Sequence, residues 1–237
     1  VSTTLTPAQL AKAIDHTLLS PTATERDIVR LCAEARQYGF AAVCVNPAYV
    51  PLASSTLQGS SVKVCTVIGF PLGASSTAAK LAEAGEALQK GATELDVVLN
   101  LGWLKSGLFQ DVLADLQAVV QTAHQASPPA LVKVILETCF LTEAEKVLAC
   151  QLAVQAGADF VKTSTGFGSG GATVPDVQLL RRQVPAHVGV KASGGIKTAA
   201  QALAMLQAGA NRLGTSSSLQ IMQQFMDGQN NTTYFTT

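Results

Sequence analysis

Two lysines stand in runs where a charge is costly. Lys162 lies in Phe160-Val161-Lys162-Thr163-Ser164-Thr165-Gly166, and Lys191 follows 29 residues on in Val188-Gly189-Val190-Lys191-Ala192-Ser193-Gly194-Gly195. Each lysine has apolar, β-branched residues before it and small residues after it. If both turn into one pocket, like charge and desolvation each disfavour the ammonium form. A lysine whose pKa falls from about 10.4 towards about 7 is a free amine often enough to attack a carbonyl. The competing reading is a lysine that meets a carboxylate or snorkels to water, because ion-pair networks also perturb titration. Asp96, in Glu94-Leu95-Asp96-Val97-Val98, could hold one lysine charged and relay a proton, or pair structurally with Lys133. Asp15, in Ile14-Asp15-His16-Thr17, carries the same ambiguity. Lys133 and Glu137 are either pocket lining or a buried ion pair, and spacing does not decide.

Three glycine-rich turns add a second kind of chemistry. They are Gly166-Phe167-Gly168-Ser169-Gly170-Gly171, Ser193-Gly194-Gly195-Ile196-Lys197 and Gly214-Thr215-Ser216-Ser217. Uncrowded backbone N–H groups at helix N-termini bind phosphate. One such turn is an ordinary loop; three, each after one of the last three strand-like runs, point to a phosphorylated ligand. Lys197 and Arg212 are candidate charge partners for it. Their plain alternatives are a solvated helix start and an ion pair at the bottom of the fold.

The elements that must position these groups alternate along the chain. Strand candidates span residues 14–18, 41–46, 62–68, 94–100, 131–137, 159–164, 188–193 and 211–215. Helix candidates span 24–38, 76–90, 142–155 and 198–207, with a short extra helix over 4–13. Thr142 and Glu145 have capping-box spacing, and Gly39, Gly91, Gly157 and Gly209 follow helix ends as left-handed stops. Three joins share one phrase, Gly91-Ala92-Thr93, Gly157-Ala158-Asp159 and Gly209-Ala210-Asn211. Eight strands over 237 residues fit a (β/α)8 TIM barrel of about 250 residues, with the short N-terminal helix ahead of it. An open doubly wound sheet is the alternative, but no GxGxxG follows the first strand. One domain over residues 1–226 is expected, with a polar, flexible tail over 227–237. Buried parallel strands should read as nearly unbroken apolar runs. Charges at Asp15, Lys63, Asp96, Lys133, Glu137, Lys162 and Lys191 therefore need a reason, and polar residues at the C-terminal ends of barrel strands line active sites.

Composition bounds the function classes. Lys plus Arg and Asp plus Glu each total 16, for zero net charge and 14% charged residues against 48% hydrophobic, where about 25% charged is usual. Such a chain lacks the electrostatic footprint of a nucleic-acid binder or of a protein held on an anionic membrane. It is too apolar to be disordered. Five unpaired-looking cysteines, Cys32, Cys44, Cys65, Cys139 and Cys150, suit buried thiols in a reducing cytoplasm. There is no CxxC pattern, and His16, His124 and His187 are scattered, so no metal site is expected. A signal peptide is not expected, and no apolar run approaches the roughly 18 residues of a membrane span.

The phrases around Lys162 and Lys191, with Glu94-Leu95-Asp96-Val97-Val98, Val43-Cys44-Val45-Asn46-Pro47, Ile14-Asp15-His16-Thr17-Leu18-Leu19 and Val67-Ile68-Gly69-Phe70-Pro71-Leu72-Gly73, resemble the deoxyribose-phosphate aldolase family in register from about residue 8 to 226. The resemblance implies a metal-independent, cofactor-free class I aldolase. It would cleave 2-deoxy-D-ribose 5-phosphate reversibly to acetaldehyde and D-glyceraldehyde 3-phosphate in deoxyribonucleoside catabolism. Lys162 would form the Schiff base. Lys191 would lower its pKa and, with Asp96 and a water, move protons at the acetaldehyde methyl carbon. Asp15, Thr17, Thr165, Gly166, Gly194, Gly195, Gly214, Ser216 and Ser217 would contact the substrate and its phosphate, and Cys44 would lie near the bound aldehyde or be a small packed thiol. The implied partners are a phosphorylated sugar and acetaldehyde, with a homodimer as the candidate assembly. Family members often carry a tail tyrosine that reaches the site; Tyr234 is the residue to compare, against a disordered tail. An isomerase-type phosphate barrel without a Schiff base and a non-catalytic phosphometabolite binder are the rival readings, and the reactivity of Lys162 separates them.

Overall fold

The apolar runs form eight short parallel strands. They are β1 (Ile14–Leu18), β2 (Ala42–Val45), β3 (Lys63–Ile68), β4 (Glu94–Val98), β5 (Leu131–Ile135), β6 (Phe160–Lys162), β7 (Gly189–Ser193) and β8 (Arg212–Thr215). Each pairs with its neighbours in chain order, and β1 closes on β8. The computed structural model describes residues 5–233, with side chains described through residue 228. The helices are α1 (Pro7–Ala11), α2 (Glu25–Tyr38), α3 (Val50–Thr56), α4 (Thr77–Gln89), α5 (Leu101–Lys105), α6 (Phe109–His124), α7 (Glu143–Gln155), α8 (Val174–Gln183), α9 (Ala199–Gln207) and α10 (Ser218–Thr233). This is the (β/α)8 barrel, with α1 as the extra N-terminal helix. Among the described residues no helix is long and apolar enough to cross a membrane.

Local chemistry explains the element ends. Thr24, Thr142 and Thr198 each accept a hydrogen bond from the backbone N–H of the third helical residue and donate their own N–H to that residue's side chain, satisfying donors that a helix start leaves orphaned. α2 stops at Gly39, whose φ of 69° is left-handed. The sequence reading named no element for α3, α5, α6 or α8. The start of α6 shows why: Leu108 precedes it with no side-chain cap, and its end passes through Gln125 rather than a glycine. α10 runs to Thr233, past residue 226, where the sequence reading ended the barrel. Tyr234 lies outside the described residues.

Side chains alternate across each strand. Leu95 and Val97 join a shell with Val43, Val45, Val134 and Val190, packed between strands and helices. Burying one such side chain contributes about 1.5–3 kcal/mol. Asp96, between Leu95 and Val97, points the other way. Register then decides which interior groups meet: Lys162 is paired with Lys191, Lys191 with Arg212, Asp96 with Lys133 and Cys44 with Cys65.

Candidate active site

The interior of the barrel carries a closed ionic layer. Asp96 is its hub. Its Oδ2 accepts from Lys162 Nζ at 2.7 Å and from Lys191 Nζ at 2.8 Å, while Oδ1 accepts from Lys133 Nζ at 2.9 Å. Lys191 also meets Asp15 Oδ2 at 2.5 Å, and Arg212 meets Asp15 Oδ1 at 2.6 Å and Glu94 Oε2 at 3.2 Å. Lys133 completes the set with Glu94 at 2.6 Å. Four cations thus share three carboxylates. Asp15, Asp96, Lys133 and Lys191 are fully buried, so every charge depends on its neighbours rather than on water.

The electrostatics follow from this closure. Burial opposes the charge of Asp96, but Lys133, Lys162 and Lys191 outweigh it and hold the carboxyl well below the usual range. Asp15 is lowered in the same way: burial opposes its charge and is outweighed by Lys191, Lys133 and Arg212. Burial works against Lys191 too, yet Asp15 and Asp96 raise it above an ordinary lysine. For Lys191 this corrects the expectation of a weakened charge. At Lys191 two carboxylates within hydrogen-bond reach exceed one neighbouring cation, and its ammonium form is locked in. Beside Asp96, Cys65 Sγ donates to Oδ1 at 3.1 Å. The neighbouring Cys65 outweighs burial and lowers the Cys44 thiol, while burial raises Cys65.

A cavity of about 310 Å³ opens above this layer at the C-terminal ends of the strands. Lys162, Thr17, Thr165, Gly166, Gly194, Gly195, Gly214 and Ser216, all of them candidates from the sequence, line it together. Asp15, Asp96, Lys191 and Cys44 are buried outside that lining. Of the three buried barrel lysines, only Lys162 lines the cavity, and its one ion pair among the described residues is with Asp96. Ser217 lines a second cavity, with His16, Arg30 and Glu34, that shares Ser216 with the first. Its N–H donates to Thr215 Oγ1 at 2.9 Å.

The glycines answer to specific crowding. Gly194 and Gly195 have φ of 86° and 79°, a conformation other residues adopt only under strain. A Cβ on Gly171 would lie 2.2 Å from Gly194 O, and one on Gly214 3.0 Å from Lys191 Cε. The three turns therefore approach each other, and the ionic layer, as bare backbone.

Two expectations on charged residues change. Arg212 belongs to the ionic layer and stacks over the Phe160 ring at 5.7 Å; it is not in the cavity lining. Lys133 and Glu137 are not a pair: Lys133 joins the layer, and Glu137 accepts from Thr165 N–H at 3.1 Å and from the Thr165 hydroxyl. Sequence reasoning missed Glu94 as a member of the layer. Its place at the very start of β4, two residues before Asp96 and hence on the same face, was the available signal. Lys197 does line the cavity, in keeping with its place after the second glycine turn. Ser193 and Thr215 line it as well, and only strand register could have placed them.

Comparison with known proteins agrees with this geometry. A model of the DeoC/LacD family aldolases matches residues 9–224. A deoxyribose-phosphate aldolase of Carboxydothermus hydrogenoformans is 58% identical over 221 residues, 93% of this chain and 97% of its own. One from Thermococcus gammatolerans is 59% identical over 216 residues, 90% of this chain and 95% of its own. Among solved structures, the tetrameric deoxyribose phosphate aldolase of Aeropyrum pernix superposes with a TM-score of 0.86 at 41% identity, covering 93% of this chain and 92% of that one.

Proposed function

The chain belongs to the DeoC/LacD aldolase family, and on that premise we propose that Lys162 is the amine through which it works. Its reaction is the reversible cleavage of 2-deoxy-D-ribose 5-phosphate to acetaldehyde and D-glyceraldehyde 3-phosphate through a lysine Schiff base, in deoxyribonucleoside catabolism. The observation that carries the assignment is that Lys162 combines access to the cavity with the fewest carboxylate partners of the barrel lysines.

The steps follow from the groups in reach. Lys162 Nζ adds to the C1 aldehyde of the open-chain sugar, and loss of water leaves an iminium. The C2–C3 bond then breaks, with its electron pair drawn into the iminium as an enamine, while the C3 hydroxyl loses its proton and becomes the aldehyde of glyceraldehyde 3-phosphate. Protonation of the enamine methylene carbon and addition of water release acetaldehyde and restore the amine. Asp96 Oδ2, which touches both Lys162 and Lys191, is the base that passes these protons through a water. Lys191 stays charged and stabilises the carboxylate in that role. The phosphate is held by the turns at Gly166, Gly194, Gly195, Gly214 and Ser216, with Thr165 and Lys197 beside them, and Thr17 faces the sugar. Ser217 supports this grip from the neighbouring cavity.

The test is chemical. Incubation with acetaldehyde and borohydride, followed by peptide mass spectrometry, should place an ethyl group on Lys162. Absence of that adduct removes the assignment. A homodimer in the cytoplasm completes the proposal, and light scattering on the purified protein reads the assembly directly.

A further inference from the structure

Glu137 is the one residue other than glycine with a positive φ among the described residues, at 53°. A side chain larger than asparagine is seldom found there, and such strain persists where surrounding structure enforces it, often at a site. The ladder explains the distortion. Leu136 N–H donates to Lys162 O at 2.9 Å, and Thr138 N–H donates to Thr163 O at 2.9 Å. Just past the ends of β5 and β6, two residues advance on one side while one advances on the other, so Glu137 is the extra residue of a β-bulge at the strand ends, a device that re-aims a side chain.

The bulge aims the Glu137 carboxylate at the loop after β6. Glu137 is 2% exposed. Oε1 accepts from Thr165 N–H at 3.1 Å and Oε2 from the Thr165 hydroxyl. The same hydroxyl oxygen accepts from Phe167 N–H at 3.0 Å. One carboxylate thus ties down Thr165 and, through it, the backbone on both sides of Gly166. The loop lies directly on this clasp: a Cβ on Gly168 would be 2.9 Å from Cys139 Sγ and 3.2 Å from Glu137 Cδ. Glu137 is absent from the cavity lining and from the ionic layer around Asp96.

We propose that Glu137 is a positioning residue for substrate phosphate, acting through Thr165 to hold the Gly166 turn in its anion-binding shape. This rests on the phosphate reading of the three glycine turns. An amide at 137 would turn an N–H₂ towards one of the two donors, so Glu137→Gln loosens the clasp while keeping side-chain size and backbone. With 2-deoxyribose 5-phosphate the variant's KM should rise about tenfold to a hundredfold, the cost of a hydrogen bond to a charged group. With unphosphorylated 2-deoxyribose, kcat/KM should fall less than about threefold, because the loop then has no phosphate to hold. Thr165→Val, which removes the hydroxyl from the other side, should also raise KM for the phosphorylated sugar. Thr165→Ser should restore it, and the effects of Glu137→Gln and Thr165→Val should be non-additive. Equal losses on both substrates, or no loss on either, would overturn the inference. If Glu137→Gln does not fold, Glu137→Asp, which keeps the charge but shortens its reach to Thr165, decides by the same substrate comparison. Acetaldehyde trapping on wild-type Lys162 reports separately on the aldolase assignment.

Discussion

The floor and the mouth of the barrel solve opposite electrostatic problems. The floor gathers Asp15, Glu94, Asp96, Lys133, Lys191 and Arg212, all buried or nearly so, and lets each charge answer another. The mouth is lined by glycines, hydroxyls and a few apolar side chains, with two lysines, Lys162 and Lys197. A dianionic phosphate would disturb a floor of matched ions but suits a mouth of backbone dipoles. Lys162 is the one residue in both regions. It is held by Asp96 below and opens on the cavity above.

The largest way to break this division is at the shared residue. Lys162→Ala should lower kcat by on the order of 10⁴ or more, as loss of a covalent nucleophile does, measured by coupled detection of glyceraldehyde 3-phosphate. Asp96→Asn strikes the hub of the floor. It leaves three buried cations short of an anion, and breaking buried pairs costs about 3–5 kcal/mol; the urea midpoint and kcat should fall together. Lys191→Leu frees Asp96 to hold Lys162 more tightly, so turnover should drop by about two orders of magnitude and the residual activity should peak at higher pH. A pH profile unchanged in position would remove Lys191 from that role. Gly171→Ala tests the mouth alone. Its methyl would collide with Gly194 O, and displacing the two turns should raise KM for the phosphorylated sugar about tenfold with little change in urea midpoint.

The smallest effect is on stability against pH, and it belongs to the floor. Asp15 and Asp96 are held below the usual carboxylate value in the fold. As pH falls below about 4, the unfolded chain takes up protons that the folded one refuses, so stability drops. Burial lowers His16, against Glu34, which starts a shallower loss below about 6.5. Lys191 is raised; its contribution is intact below about 10.4 and fades as pH climbs through its folded value. A urea midpoint that stayed constant from about pH 6 to pH 3 would contradict the closed layer.

Much of the mouth is legible in the chain because glycine leaves a mark. Gly194, Gly195 and Gly214 are where backbone must bend left-handed or pass close, and those needs show in residue type. The strands are legible because the apolar runs around Val97, Val134 and Val161 permit little else. The floor is harder to read. Lys162, Lys191 and Asp96 stand out as charges in apolar runs, but which carboxylate meets which cation depends on register across all eight strands. Arg212 shows this, since its partners Asp15 and Glu94 lie 197 and 118 residues away. Glu137 shows it again: a bulge formed by one extra residue leaves no signature in composition or spacing.

The floor also bears on how the chain reaches its fold. Asp15 lies in the first strand, yet its partners Lys191 and Arg212 lie 176 and 197 residues later. Until β7 and β8 exist, Asp15 on β1 has only the more distant Lys133, at 3.9 Å, to set against its charge, and burying it so poorly paired is unfavourable. An emerging chain can assemble central βα units around Asp96 and Lys133, but it cannot seal the cylinder early. Closure of β1 on β8 is a long-range contact of the kind that slows folding. The same event neutralises the last buried charge, so a chain truncated before β8 keeps an open seam with a charged lip. The ionic layer thus makes the complete barrel a condition for burying its own first strand.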